Sequence, residues 1–166
     1  MERVILIQHD TNIPTDNLLQ ILAKKNLLGI KLKPTGSKEL PSKKLLDHSI
    51  GIILVDAPSS QSAELLKAEI ELLNDLSNSK KAILALGSGS ITASLACEGS
   101  IVREHLRLGW LPVELKKSSR IEATLLPERI FLLTNTIIKP PKNSHILLSY
   151  RKTKIAYIYE NLMSLG

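Results

Sequence analysis

Lys81–Ile101, KAILALGSGSITASLACEGSI, holds the densest set of residues whose types and spacing could do chemistry. An apolar run of strand length, Ala82–Leu86, meets the small-residue turn Gly87-Ser88-Gly89-Ser90. Ile91, Leu95, Ala96 and Cys97 then follow at helical spacing. Such a strand–turn–helix junction leaves backbone N–H groups unpaired and a partial positive charge at the helix start. Gly87, Ser88, Gly89 and Ser90 are therefore candidates for binding a small anionic ligand, a phosphate or a carboxylate, on backbone N–H groups. The glycine–lysine pair of a P-loop is absent. Ser88 and Ser90 also raise hydrolytic chemistry, with His9 and Glu160 as the groups such a site would draw on. The Gly-x-Ser-x-Gly elbow pattern is not met, and capping of the following helix accounts for serine here without catalysis.

The remaining reactive residues are few. Cys97 is the only thiol, lies well past the turn on the expected helix, and is expected to pack as a small hydrophobe. The four histidines, His9, His48, His105 and His145, show no metal-ligand spacing, so no metal and no other cofactor is expected. His9 stands out by position: it follows a strand at what would be the sheet's carboxyl edge, which makes it a ligand-binding candidate at the rim of a cleft.

Positioning these residues requires a layered α/β fold. Val4–Ile7, Ile30–Leu32, Ile50–Val55 and Ala82–Leu86 read as buried strands. Between them, Leu18, Leu19, Leu22 and Ala23 form one helix face, started by Thr15 or Asp16 and ended near Gly29. Ala63–Leu76 forms a second helix. Lys33–Lys44, rich in Pro, Gly, Ser and Lys, reads as a surface connection. Strands alternating with helices predict a mostly parallel sheet covered on both faces. After Gly99 the pattern changes to short strands: Leu111–Leu115, Ala123–Leu126, Ile130–Leu133, His145–Ser149 and Lys154–Tyr159.

Composition narrows the class. At 166 residues the chain suits one domain, 1–166, with an aliphatic core, since 43% of residues are hydrophobic and only 3% aromatic. No apolar stretch approaches the ~20 residues of a membrane span. MERVILIQHD shows no signal-peptide pattern, and a single cysteine excludes an internal disulfide, so a cytoplasmic location is expected. The net charge of +6 comes from scattered lysines with few aromatics beside them. That reads as a solvated surface rather than a nucleic-acid interface.

Motifs along nearly the whole chain carry a further signal: VILIQHD, LVDAPSS, LALGSGSITASLACEGSIV, GWLPVEL, LPERIF and HILLSY. Their order and spacing resemble the class I glutamine amidotransferases, in particular the stand-alone branch similar to the glutaminase domain of GMP synthase. The resemblance implies a three-layer, flavodoxin-like α/β fold with a β-rich C-terminal half. It also implies a Cys–His–Glu triad, with the cysteine at the elbow and the other two in an F-H-P-E motif. At the elbow this chain has Gly87; aligning the later motif on Tyr159-Glu160-Asn161-Leu162 puts Glu160 at the histidine position and Leu162 at the glutamate position. Ile91 replaces the family's glutamine-binding residue, Asp56-Ala57 replace the Gly-Gly of the oxyanion loop, and Leu133–Thr136 replace a W-H-G-D-like sequence. The chain is expected to end soon after its last strand, without the family's C-terminal helix.

The expectation is a catalytically degenerate amidotransferase-like protein, a pseudoenzyme with no catalytic residues, that acts by binding. A partner protein, a homo-oligomer or a small anionic ligand would fill that role. The alternatives are a hydrolase using an elbow serine and a non-catalytic subunit of an amidotransferase assembly.

Overall fold

Alternation along the strands sets the layers. In β1 (Glu2–Ile7) Ile5 and Ile7 point to one face of the sheet and Val4 and Leu6 to the other; Ile52 and Leu54 against Ile53 and Val55 repeat this at β3 (Ser49–Leu54). The first face is covered by α3 (Ala63–Asn78), through Leu73 and Leu76, and by α4 (Gly89–Ala96), through Ala93 and Ala96. The second is covered by α1 (Asp16–Lys24), through Leu22. The computed structural model describes residues 1–58, 62–79, 81–115, 129–150 and 153–165.

These strands belong to an eight-stranded sheet with order β2-β1-β3-β4-β10-β9-β8-β6. β2 (Leu27–Leu32), β1, β3, β4 (Ala82–Leu86) and β10 (Leu162–Leu165) run parallel. β9 (Thr153–Tyr159), β8 (His145–Tyr150) and β6 (Glu114–Leu115) complete the sheet antiparallel. β5 (Ser100–Pro112) and β7 (Arg129–Lys139) form a separate antiparallel ribbon. The three-layer α/β architecture and the β-rich C-terminal half are as the sequence predicts.

Several local expectations are corrected. Gly29 does not end α1; it pairs with Val4 inside β2. A Cβ there would come within 2.6 Å of Leu19, so glycine at this position lets α1 sit close on the strand. The chain leaves α1 instead through Asn26, whose φ of 58° makes the turn. Thr15 stands at the start of α1 without capping it; its hydroxyl takes the Lys31 ammonium at 2.6 Å. The connection after Lys33 is partly helical, with a 3₁₀ turn at Ser37–Glu39 and a short helix, α2 (Lys43–Asp47), capped by Ser42. The strand expected at Leu111–Leu115 is divided between β5 and β6, and Ile130–Leu133 lies within the longer β7. Lys154–Tyr159 is not the last strand: β10 follows a two-residue turn and inserts between β4 and β9. The expected strand Ala123–Leu126 and the end of LVDAPSS at Ser59-Ser60 lie outside the described residues.

Candidate functional site

The parallel strands all deliver their carboxyl ends to one edge of the sheet, and the segments after four of them converge there. Gln8, His9 and Asp10 follow β1, Asp56 and Ala57 follow β3, and Gly87 and Ser88 follow β4. His9, Asp10, Asp56, Ala57 and Ser88 of these, together with the Pro34–Thr35 segment after β2 and the start of α3, line a cleft of about 530 Å³. His9, Asp10, Pro34, Thr35, Asp56 and Ser88 supply its polar wall, and Ile13 and Leu65 its apolar one.

Asp56 organises the rim. It is 3% exposed, and its two oxygens accept the backbone N–H groups of His9 (2.7 Å) and Asp10 (2.5 Å). The carboxylate thereby clamps the loop after β1 with two charge-assisted hydrogen bonds. The clamp turns His9 toward α3, where Nε2 meets Glu69 Oε2 at 2.7 Å, while Nδ1 meets the Pro34 carbonyl at 3.2 Å. Glu69 is wholly buried and the His9 side chain nearly so. Burial acts against a charged imidazole, but the hydrogen bond and charge of Glu69, the Pro34 carbonyl and the charge of Asp56 outweigh it, so His9 is held above its ordinary value. Burial in turn pushes the Glu69 carboxyl up, partly offset by His9.

At the elbow, Gly87 adopts φ +50°, the left-handed region that favours glycine, and its N–H donates to the Leu165 carbonyl of β10 at 2.8 Å. Among the described residues, a Cβ at Gly87 would find only the Val55 carbonyl, 3.8 Å away. The apex is an open strand-to-helix turn with no side chain on it. Ser88 is exposed and does not cap α4; its hydroxyl accepts the Ala57 N–H at 3.1 Å. Ser90 does not cap it either: it is fully buried, and its hydroxyl lies 3.4 Å from the Ala85 carbonyl under the turn. Gly89 is packed against Leu54 of β3. Of the sequence candidates, His9 and Ser88 line the cleft, Gly87 precedes Ser88 in the chain without lining it, and Gly89 and Ser90 are buried.

Two expectations about roles are corrected. Glu160 and Leu162 do not stand beside the elbow. Leu162 pairs with Ile83 near the start of β4, and Glu160, in the preceding turn, accepts the Ser77 hydroxyl of α3 at 3.3 Å. That is the amino edge of the sheet, roughly 15 Å along β4 from Gly87 at ~3.3 Å per residue. The local sequence suggests a motif alignment that the strand register contradicts. The same separation removes Glu160 from any serine chemistry at the elbow. His9 is also unavailable as a base for Ser88, because both of its ring nitrogens are engaged by acceptors. Cys97 closes the end of α4, buried, its thiol pushed up to about 11 by burial and by the nearby Glu160 charge, which makes it inert. A small anion would meet two carboxylates, Asp10 and Asp56, in a lining without lysine or arginine among the described residues.

Glu69 is a residue behind the cleft that the motifs do not single out. Its signal is present in the pattern all the same: it falls at i+4 from Leu65 and i−4 from Leu73, a lone acid on the buried stripe of α3.

Solved structures superpose on this arrangement. A glutamine amidotransferase from Thermotoga maritima matches with a TM-score of 0.84 at 18% identity, covering 99% of this chain and 74% of its own. The fold is that of a class I glutamine amidotransferase. A second amidotransferase, from Methylobacillus flagellatus, matches with a TM-score of 0.82 at 13% identity over 99% of this chain and 69% of its own. A Thermoplasma acidophilum protein, ascribed to GMP synthase as one of its subunits, reaches 0.73 at 18% identity, over 99% and 82%. No family profile and no curated protein matches the sequence. No helix among the described residues is long and apolar enough to cross a membrane.

Proposed function

We propose that residues 1–166 form a single amidotransferase-like domain without glutaminase activity, which acts by binding a ligand in the cleft beside the elbow. The observation that carries this reading is Gly87: the apex has the open left-handed geometry suited to a nucleophile, and glycine offers none. The chain's only thiol, Cys97, is buried and poorly ionised. The lining supports a neutral or cationic ligand, since Asp10, Asp56, Thr35 and Ser88 belong to it and, among the described residues, no lysine or arginine does. The test is labelling of the intact protein with a glutamine-analogue alkylator, read by mass spectrometry. No adduct is expected, and an adduct that maps to the elbow overturns the reading.

A protein partner is the second reading. Its support is a structural neighbour ascribed to a multi-subunit synthase, together with Trp110 and Ile101, which are 63% and 40% exposed on β5. Native-cell purification followed by sizing tests it; a chain that elutes as a monomer with nothing bound counts against it.

A further inference from the structure

The contacts of His9 join three parts of the molecule that are far apart in sequence. Its backbone is fixed to Asp56 at the end of β3, its Nε2 to Glu69 on α3, and its Nδ1 to the carbonyl of Pro34. Pro34 and its neighbour Thr35 form one wall of the cleft. That segment is otherwise tied to α3 by the Ser37 hydroxyl donating to Glu64 at 2.9 Å, and internally by Glu39, which accepts the Thr35 N–H at 2.7 Å.

A carbonyl oxygen only accepts, and so does a carboxylate. Both ring contacts are satisfied when two protons are present between the ring and Glu69. Nδ1–H then donates to Pro34, and one further proton lies between Nε2 and Oε2. Removing a single proton leaves the ring with one N–H for two acceptors. That N–H stays on the shorter, charge-assisted bond to the buried Glu69 carboxylate, whose other oxygen has no partner among the described residues. The hydrogen bond from Nδ1 to Pro34 then breaks, because two lone pairs would face each other across it. Among the described residues, the charges that act on the ring are Glu69 from α3 and Asp56 from the end of β3; both are acidic and favour the protonated ring.

We propose that His9 is a proton-controlled latch on the cleft: the protonated ring pins the Pro34–Thr35 wall, proton loss releases it, and Glu69 is the buried positioning residue that holds the ring in place. The ligand-binding reading of the cleft underlies this proposal. Access to the cleft is thereby coupled to pH.

The experiment is a nitrogen-detected titration of the histidine rings in the full chain, from about pH 5 to 9, recorded together with the Pro34 carbonyl and Thr35 amide resonances. His9→Gln assigns the signal. The expected result is a doubly protonated ring that titrates above 6.5, leaving an Nε2–H tautomer, with Pro34 and Thr35 shifting at the same midpoint. Glu69→Gln should lower that midpoint by about one pH unit or more, and the wall resonances should follow it. If Glu69→Gln does not fold, His9→Gln serves: its Pro34 and Thr35 signals should no longer respond around neutral pH. A midpoint at or below 6.5, an Nδ1–H neutral tautomer, or wall resonances indifferent to His9 overturns the latch. Ammonia release from glutamine would defeat the binding reading while leaving these titrations unchanged, so the two failures are distinguishable.

Discussion

His9 and Glu69 lie 60 residues apart in sequence, yet Nε2 and Oε2 meet at 2.7 Å behind the cleft wall. One residue lies in the loop after a central strand and the other is buried on the helix covering it, so the pair links sheet to helix at the edge where the loops converge. A buried ion pair is weak evidence for stability by itself, but losing one partner strands the other in a low-dielectric site. The consequences of this arrangement can be measured.

Stability should fall as the solution becomes more alkaline. His9 is raised above 6.5 in the folded chain, so its contribution is fully present below 6.5 and is lost as pH rises through the folded value. Glu69 is raised above 4.5, chiefly by burial, and adds a loss of the same sign over its own window. Urea midpoints taken across this range should decline above about pH 6.5, and the decline should flatten in His9→Gln. A midpoint that rises through neutral pH in the unmodified chain contradicts the assignment.

Asp56→Ala should destabilise the chain by about 2–3 kcal/mol, because two backbone N–H groups lose a charged acceptor at a part-buried site. Denaturant unfolding measures the loss. Hydrogen exchange should at the same time show the amides of His9 and Asp10 unprotected while the strand amides of Ile5 and Ile7 stay protected. A loss under about 0.5 kcal/mol, within the range of an ordinary surface change, would mean that the clamp is incidental.

Gly87 and Gly89, two positions apart, should respond differently to alanine. At Gly87 the space is open and only the positive φ resists a side chain, so about 1 kcal/mol is expected. At Gly89 a Cβ would lie 2.9 Å from the Leu54 carbonyl, so α4 must shift off β3, and about 2–3 kcal/mol is expected. Unfolding of the two variants under one condition checks the order; a Gly87→Ala loss that exceeds that of Gly89→Ala would contradict the packing described here.

Adding the missing side chain gives a related test. Gly87→Cys should fold, because nothing but the backbone angle opposes it, and its thiol should react with iodoacetamide much faster than Cys97. The new thiol would sit exposed just before the start of α4, whereas Cys97 is buried and raised to about 11. Peptide mapping after a short exposure distinguishes the two. Equal labelling of both positions would mean that the elbow is closed.

The parallel strands, α1, α3 and the elbow are legible in the sequence because each rests on a long apolar run with one period, as Val4–Ile7 and Ala63–Leu76 illustrate. β10 is not, because the apolar run of LMSL is broken by Ser164 and its place depends on pairing with a distant strand, β4. That one omission also misplaces Glu160 and Leu162, since their distance from Gly87 is set by register and not by local pattern. Gly29 misleads because a glycine that allows close helix packing looks the same in sequence as one that ends a helix. The site is half legible: the position of His9 after β1 points to the rim, but the pairing with Glu69 needs the tertiary arrangement that brings α3 over the sheet.

The elbow keeps its geometry without a nucleophile, and the reading of the cleft as a binding site rests on that. Ammonia release from glutamine by the purified, folded chain tests it most directly, with a denatured sample as the control. Release no faster than in the denatured control is predicted. Sustained turnover above it, proportional to protein concentration, would contradict the account.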